Sequence, residues 1–204
     1  MNKKNSTAGK ISGFCGEYSY ILVFVGIFIV YALTSNGLTL SGVMNVFRHS
    51  AVIGIIGIGM GLICLTGEID LSVGSMLALD AGFSVIIFNI TDNIFLTLLF
   101  AVAFGAFCGL VNGVMVGLIE MPAFIVTLAT MLIYRSFAQY FCQHVDKALI
   151  GGGSSVYRMA NDKSSYQALY DMGNGKLAVF PTVGVILIIL TILFVYITTS
   201  TKYG

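Results

Sequence analysis

The stretch between residues 94 and 119, IFLTLLFAVAFGAFCGLVNGVMVGLI, decides the fold class of this chain. It contains no charged side chain, and an α-helix needs about 20 consecutive apolar residues to cross the hydrocarbon core of a bilayer. Inside that core every backbone amide and carbonyl must bond within the protein, which an α-helix achieves on its own. The stretch therefore predicts a membrane-spanning helix.

Composition extends this prediction to the whole chain. The 204 residues are 57% hydrophobic and 9% charged, with a mean hydropathy of +0.96, whereas a soluble domain carries roughly 25% charged residues. Too few polar side chains are present to coat a water-soluble core, so apolar side chains must face membrane lipid. We predict an all-α, polytopic transmembrane helix bundle. A net charge of +1 gives no reason to expect a nucleic-acid partner.

Five further apolar runs have similar length and are separated by short polar turns. The N-terminal lysines favour a cytoplasmic N-terminus, because positive charge concentrates on the cytoplasmic side of membrane proteins. The long polar segment 143–177 is then predicted as an outer loop, and residues 1–17 as a cytoplasmic tail. The predicted transmembrane domain covers residues 18–200, with about six spans at residues 18–33, 46–66, 71–90, 94–119, 123–142 and 178–198.

Glycine recurs at every fourth position of the fourth span, at Gly105, Gly109, Gly113 and Gly117. Membrane helices associate by close backbone approach, and small residues at this spacing permit it. We predict a packing seam, which serves either static packing or the sliding of helices during transport. Asn112 lies on nearly the same face, so it is predicted to face a protein neighbour or a cavity, as an interhelical hydrogen bond or a substrate contact.

Two charges lie inside predicted spans, Asp80 in the third and Arg135 in the fifth. A charge at the bilayer centre costs about 3 kcal/mol on insertion scales, so such residues usually pair or line water. If both spans run outward from the cytoplasm, the two residues differ in depth by about 4 to 5 Å at 1.5 Å per residue. We predict a candidate ion pair, with either a structural or a pathway role.

The segment TGEIDLSVGS, residues 66–75, precedes and opens the third span. Asp70 has the chemistry to cap that helix, because its carboxylate accepts amide hydrogens and meets the positive end of the helix dipole. Gly67 and Gly74 permit a tight turn or a close approach. A helix cap between two spans accounts for this segment without a further role.

Catalytic and cofactor motifs are absent from the sequence. It contains no Walker loop, no HExxH and no GxSxG, and neither His49 nor His144 has a partner at metal-ligand spacing. The four cysteines lie far apart and resemble small apolar residues in their settings. The sequence therefore predicts a protein that is not an enzyme and that holds neither metal nor cofactor.

The sequence contains two blocks of linked motifs. The first block combines NVFR at 45–48, GM at 59–60, TG at 66–67 and IDLSVGS at 69–75. The second combines GLVNG at 109–113, PAFIVTL at 122–128 and YR at 134–135. Together the two blocks resemble the permeases of bacterial ribose, galactose and xylose ABC importers. The family-motif residues carried over to this chain are Gly67, Asp70, Ser72, Gly74, Asn112, Gly113, Pro122 and Thr127.

The resemblance implies a transport role. Such permeases have about ten helices, form homodimers or heterodimers in the bacterial inner membrane, and provide the pathway for a monosaccharide. A separate ATPase subunit hydrolyses ATP, and an extracytoplasmic sugar-binding protein delivers the sugar. Residues 201–204 resemble the start of the family's cytoplasmic coupling segment, so we expect a shortened permease without its main ATPase contact.

Two residues depart from the family pattern. Glu68 replaces a usual glycine, and Asp80 stands where a small or neutral residue is usual. Both departures bear on the substrate assignment. Two alternatives to an importer subunit stay open: a small channel or proton-coupled carrier that uses Asp80 and Arg135, or a nonfunctional permease fragment without its partner helices.

Overall fold

The computed structural model describes residues 18–34, 39–151, 156–177 and 180–200. The predicted N-terminal tail and the predicted coupling segment at 201–204 lie outside these residues. Two compact units divide between Val46 and Phe47. Within the described residues the elements are α1 (Ser19–Thr34), α2 (Leu40–Leu65), α3 (Val73–Thr91), α4 (Ile94–Gly117), α5 (Ala123–His144), α6 (Tyr166–Asn174), β1 (Lys176–Leu177), β2 (Phe180–Pro181) and α7 (Thr182–Ser200).

Six of these helices are apolar and coincide with the predicted spans. Five of them, α2 to α5 and α7, are long and apolar enough to cross a membrane, whereas α1 has only 16 residues. The predicted polytopic bundle of membrane helices is confirmed. The largest shift in a boundary is at α2, which begins at Leu40, six residues before the predicted 46. Thr39 Oγ1 accepts a hydrogen bond from the Gly42 amide at 3.2 Å and so caps this earlier start.

Helices α3, α4 and α5 form the core of the second unit. α3 packs against both of the others, and the Phe83 ring lies between them. It meets the ring of Phe104 on α4 edge to face at 5.2 Å, and that of Phe141 on α5 at 5.1 Å. Aromatic rings prefer this geometry because the positive edge of one meets the negative face of the other. The buried cluster at this junction is Leu79, Cys108, Tyr134 and Ala138.

The prediction of a packing seam along the glycines of α4 is wrong, among the described residues, for three of its four glycines. A Cβ atom added at Gly109, Gly113 or Gly117 would meet nothing within 4 Å, apart from the chain neighbours and the helix's own backbone. The buried face of α4 instead carries Cys108 and Asn112. Each of these precedes a glycine by one position, and one position corresponds to about 100° of rotation around a helix. Gly109, Gly113 and Gly117 therefore make no close approach to a neighbouring helix among the described residues, whereas Gly105 lies beside Asp80 of α3.

Close approach by glycine occurs instead between α2 and α7. A Cβ at Gly184 of α7 would collide with the ring of Phe47, and a Cβ at Gly54 of α2 would lie 3.1 Å from the Leu187 side chain. The absence of a side chain at each glycine leaves room for a bulky side chain of the other helix, Phe47 of α2 and Leu187 of α7.

The segment predicted as the loop 143–177 contains a short helix, α6. Tyr166, Leu169 and Tyr170 fall at i, i+3 and i+4, a spacing that gives one apolar face to this helix. β1 and β2 follow as a short antiparallel pair, with Lys176 opposite Pro181. The segment is polar as a whole, and that polarity concealed the helical periodicity within it.

Candidate functional site

The motif segment before α3 is held by Asp70. Its Oδ1 accepts hydrogen bonds from both the amide and the hydroxyl of Ser72, each at 2.7 Å. Ser72 is the N-cap residue of α3 and is fully buried. Asp70 therefore fixes the turn that leads into the helix, as an aspartate commonly does two residues before an amide. The predicted bond to one of the first helical amides is replaced by this bond to the N-cap amide.

Asn112 of α4 continues the same chain of hydrogen bonds. Its Nδ2 donates to Ser72 Oγ at 2.9 Å, and Ser72 Oγ donates onward to Asp70. Asn112 is only 6% exposed, and its buried Oδ1 has no partner among the described residues. The structure thus contains the predicted interhelical hydrogen bond of Asn112, between α4 and the start of α3.

The remaining motif residues surround this chain. Gly67 has a φ of +81°, a backbone conformation that glycine adopts without steric cost. Thr127 Oγ1 donates to the Ala123 carbonyl of its own helix at 2.8 Å, and it lies 3.4 Å from the Ile69 carbonyl. Pro122 is the N-cap residue of α5. A Cβ at Gly74 would meet nothing within 4 Å outside its local backbone.

A cavity of about 440 Å³ adjoins the motif residues, and we call it the motif cavity. Residues from α2, α3, α4 and α5 line it, and the exposed Glu68 is among them. Four of the eight motif residues are thus gathered at one place, although they are separated in sequence. Those at the wall are Asp70, Asn112, Gly113 and Thr127.

Asp80 and Arg135 do not come together. Asp80 Oδ1 accepts a hydrogen bond from Ser84 Oγ at 3.5 Å, and its Oδ2 lies 3.5 Å from a Cβ position at Gly105 of α4. Arg135 is exposed and lines a different cavity, between α3 and α5. Among the described residues they form no ion pair. The prediction of a pair is corrected, because Asp80 faces α4 while Arg135 points into that separate cavity.

The cavity beside Arg135 has a volume of about 790 Å³, and we call it the α3–α5 cavity. Gln139 and Gln143 line it together with Arg135, and the sequence analysis did not single them out. Their positions four and eight residues after Arg135 were the available signal, because residues at i and i+4 share one face of a helix. Polar residues at this spacing in an apolar helix indicate a wetted face.

Two polar residues at the end of α3 hold the polar segment that follows α5. Asn89 Nδ2 donates to the carbonyls of Leu149 and Arg158 at 2.7 and 3.0 Å, and its Oδ1 accepts from the Ala160 amide at 2.8 Å. All three of these hydrogen bonds cross to the polar segment. Asn89 is 6% exposed, and the sequence analysis missed it because it lies within an apolar run.

Asp92, which follows α3 directly, holds the same segment by its carboxylate. Oδ2 accepts from the amide and hydroxyl of Ser164, and Oδ1 accepts from the amide of Ser165. The Ser164 hydroxyl and the Ser165 amide contribute most to lowering the pKa of Asp92 below its ordinary value. The carboxylate is therefore charged at neutral pH and acts as an acceptor only.

Tyr157 closes one end of the α3–α5 cavity. Its hydroxyl donates to the Ala138 carbonyl of α5 at 2.9 Å, and its ring lies against the backbone of Gly82. Burial raises the pKa of Tyr157 to about 12, so the hydroxyl stays protonated and keeps this bond at neutral pH.

The sequence of this chain, with its apolar helices and buried polar motif, matches a protein family. The family described as branched-chain amino acid transport system / permease component matches residues 42–204. The chain belongs to this permease family. The match begins near the start of α2 and includes both motif blocks.

Several curated permeases are similar to this family member. The ribose import permease of Escherichia coli K12 is 38% identical over 125 residues, which are 61% of this chain and 39% of the relative. The xylose transport system permease of the same strain is 34% identical over 150 residues, 66% of this chain and 38% of the relative. The galactofuranose transporter permease of this strain is 30% identical over 161 residues, which are 79% of this chain and 43% of the relative.

The chain thus spans about two fifths of the length of these permeases. No solved structure matches it. The resemblance to sugar-type ABC permeases that the two motif blocks predicted is confirmed by these matches.

Proposed function

We propose that this chain acts as a membrane-spanning permease subunit of an ABC importer for a monosaccharide. The observation that carries the proposal is the similarity of its apolar helices to permeases whose names specify ribose, xylose and galactofuranose. In this proposal the helices form part of the translocation pathway and carry out no chemistry. A partner ATPase hydrolyses ATP, an extracytoplasmic binding protein delivers the sugar, and a second permease subunit completes the pathway.

The motif residues have a structural role in this proposal. The chain from Asn112 through Ser72 to Asp70 holds the beginning of α3 against α4. Gly67 supplies the turn before it, and Thr127 lies beside the same turn on α5. A transport helix that moves as a unit needs its end fixed to its neighbours, and buried hydrogen bonds between helices provide this.

The proposed orientation places the N-terminus in the cytoplasm. The segment held by Asn89 and Asp92 then faces outward, on the side from which a binding protein delivers sugar. Its anchoring at Asn89 of α3 and at Asp92, which follows α3, supports a defined surface there, because both side chains bond to the backbone of the segment. Arg135 is retained as a candidate pathway residue, since an intramembrane charge usually lines water when it has no partner.

Sugar uptake tests this proposal. The gene for this chain is expressed together with genes for a partner ATPase, a sugar-binding protein and a second permease subunit, in bacteria that lack their own ribose, xylose and galactose importers. We expect ATPase-dependent uptake of one radiolabelled monosaccharide. Uptake of leucine but of no sugar would instead support the amino-acid specificity in the family description and overturn the sugar assignment.

The same cells separate an importer from a channel or proton-coupled carrier. Inactivation of the partner ATPase by substitution of its phosphate-binding lysine abolishes uptake by an ABC importer. Sugar uptake that persists in this variant, or proton flux that needs no ATPase, would contradict the proposal and favour the carrier alternative.

A further inference from the structure

Helix α5 carries a stripe of three polar side chains within its apolar sequence. Arg135, Gln139 and Gln143 occur at every fourth position, and all three line the α3–α5 cavity. Residues four apart project from the same side of a helix, so the stripe presents guanidinium and carboxamide groups to one space. None of these groups has a role in the buried core or in the motif cavity.

The opposite positions of α5 are apolar. Ile133 and Phe137 are each about half exposed, at 48% and 50%. Apolar side chains are stable against lipid, whereas a charged residue inside a span faces water or a protein interior. Arg135 forms no ion pair with any described residue, so no carboxylate of this part of the chain offsets its charge. Helix α5 therefore has one face for lipid and one face for water.

The wall opposite the polar stripe is made of small residues. Gly74, Ser75 and Ala78 of α3 line the cavity, and their short side chains leave its volume of about 790 Å³ open. Small-molecule sites in proteins commonly measure about 300 to 1,000 Å³. They combine mostly apolar walls with a few convergent polar groups, and this cavity has the same composition.

We propose that the α3–α5 cavity is a water-filled binding station for a neutral polyhydroxylated molecule of monosaccharide size, bound by Arg135, Gln139 and Gln143. This inference rests on the proposed function and deepens it by naming a place where the sugar binds within the permease. The guanidinium group donates hydrogen bonds only, and each carboxamide both donates and accepts. Sugar hydroxyls can meet both requirements, and the cavity lining contains no carboxylate that would select a cation.

The first test measures which face of α5 is accessible to water. In the assembled importer, the native cysteines are replaced by alanine, and single cysteines are introduced as Gln139→Cys and Gln143→Cys. The matched controls are Ile133→Cys and Phe137→Cys on the same helix. A charged, water-soluble thiol reagent should modify the cavity cysteines at least about tenfold faster, because it does not enter lipid. Equal rates on both faces would overturn the wetted cavity.

Protection by ligand tests the binding station itself. An excess of the transported sugar should slow the modification of Gln139→Cys, while leucine or a sugar carrying a carboxylate should leave the rate unchanged. Modification that no sugar slows would overturn the binding station, and protection only by the sugar acid would overturn its preference for neutral ligands. Arg135→Lys should retain more protection than Arg135→Met, because lysine keeps the charge and donors.

Uptake by the cysteine-free parent keeps the two proposals apart. If the parent imports a sugar but the cavity cysteines are unreactive or unprotected, the binding station is wrong and the permease role stands. If the parent imports no sugar in the presence of its ATPase and binding protein, the permease role fails whatever the labelling pattern, and the sugar station fails with it.

Discussion

Asn112 Nδ2 donates a hydrogen bond of 2.9 Å to Ser72 Oγ, across 40 residues of sequence and between two helices. Ser72 in turn donates to Asp70, so one buried hydroxyl joins a helix interior to the turn that starts another helix. Both Ser72 and Asn112 are more than nine-tenths buried. A hydrogen bond in such surroundings is poorly replaced by water, so its loss leaves polar atoms unsatisfied.

A double-mutant cycle measures this relationship. We expect Ser72→Ala and Asn112→Ala each to destabilise the protein, with a coupling energy of about 0.5 to 1.5 kcal/mol, as for buried interhelical hydrogen bonds. Unfolding by dodecyl sulfate in detergent micelles provides the free energies. Thr191→Ala serves as the control partner, because its hydroxyl bonds within α7 to the Leu187 carbonyl. If Asn112→Ala had the same coupling energy with Thr191→Ala as with Ser72→Ala, the hydrogen bond between Asn112 and Ser72 would be contradicted.

Asp92 makes the docking of the segment after α5 depend on pH. Because its folded pKa lies below its ordinary value, the carboxylate supports docking above about pH 3.9, the pKa of a free aspartate. This support is lost as pH falls through the lower, folded pKa. At pH 7 we expect Asp92→Asn to accelerate amide hydrogen exchange in residues 156–166.

The control for this exchange measurement is Asp171→Asn in α6. Asp171 accepts a hydrogen bond from Gln167 of the same short helix, so its replacement should leave exchange in residues 156–163 unchanged. Equal acceleration by both variants would show that loss of negative charge, rather than the specific bonds of Asp92, controls docking.

Two glycines should respond oppositely to the same substitution. A Cβ at Gly82 would lie 2.7 Å from the Tyr157 ring, whereas a Cβ at Gly109 would meet nothing within 4 Å outside the local backbone. We expect Gly82→Ala to destabilise the protein by about 1 to 3 kcal/mol through overpacking. Gly109→Ala should stabilise it by up to about 1 kcal/mol through higher helix propensity.

The same detergent unfolding measurement checks both glycine variants. Combining Gly82→Ala with Tyr157→Ala should recover part of the loss, because the clashing ring is removed. A large destabilisation by Gly109→Ala would contradict the open glycine face of α4 and support the packing seam expected from the sequence.

Asp80 and Arg135 should behave independently. They face different neighbours, and substitutions without shared partners are usually additive within about 0.3 to 0.5 kcal/mol. We therefore expect Asp80→Asn and Arg135→Gln to show no coupling beyond this range in expression level and unfolding free energy. If the double variant is clearly more stable than additivity predicts, the result would support the ion pair that was predicted from the sequence.

The class of fold could be predicted from the sequence because the bilayer imposes it locally. A run such as residues 94–119 must be a helix in hydrocarbon whatever it packs against. The motif segment 66–75 also identified the turn before α3, since the turn bonds of Asp70 reach only two residues along the chain. Family resemblance was likewise present in linear motifs, and the match to residues 42–204 agrees with it.

Contacts between helices were decided by the tertiary structure. The glycine spacing of α4 predicted a seam, but a rotation of about 100° separates Gly109 from the packed Cys108. Depth along a span suggested that Asp80 meets Arg135, yet depth does not specify which way a side chain points around its helix. The length of the apolar runs determined which segments are membrane helices. Only packing in three dimensions decided which face of each helix meets a neighbour or a cavity.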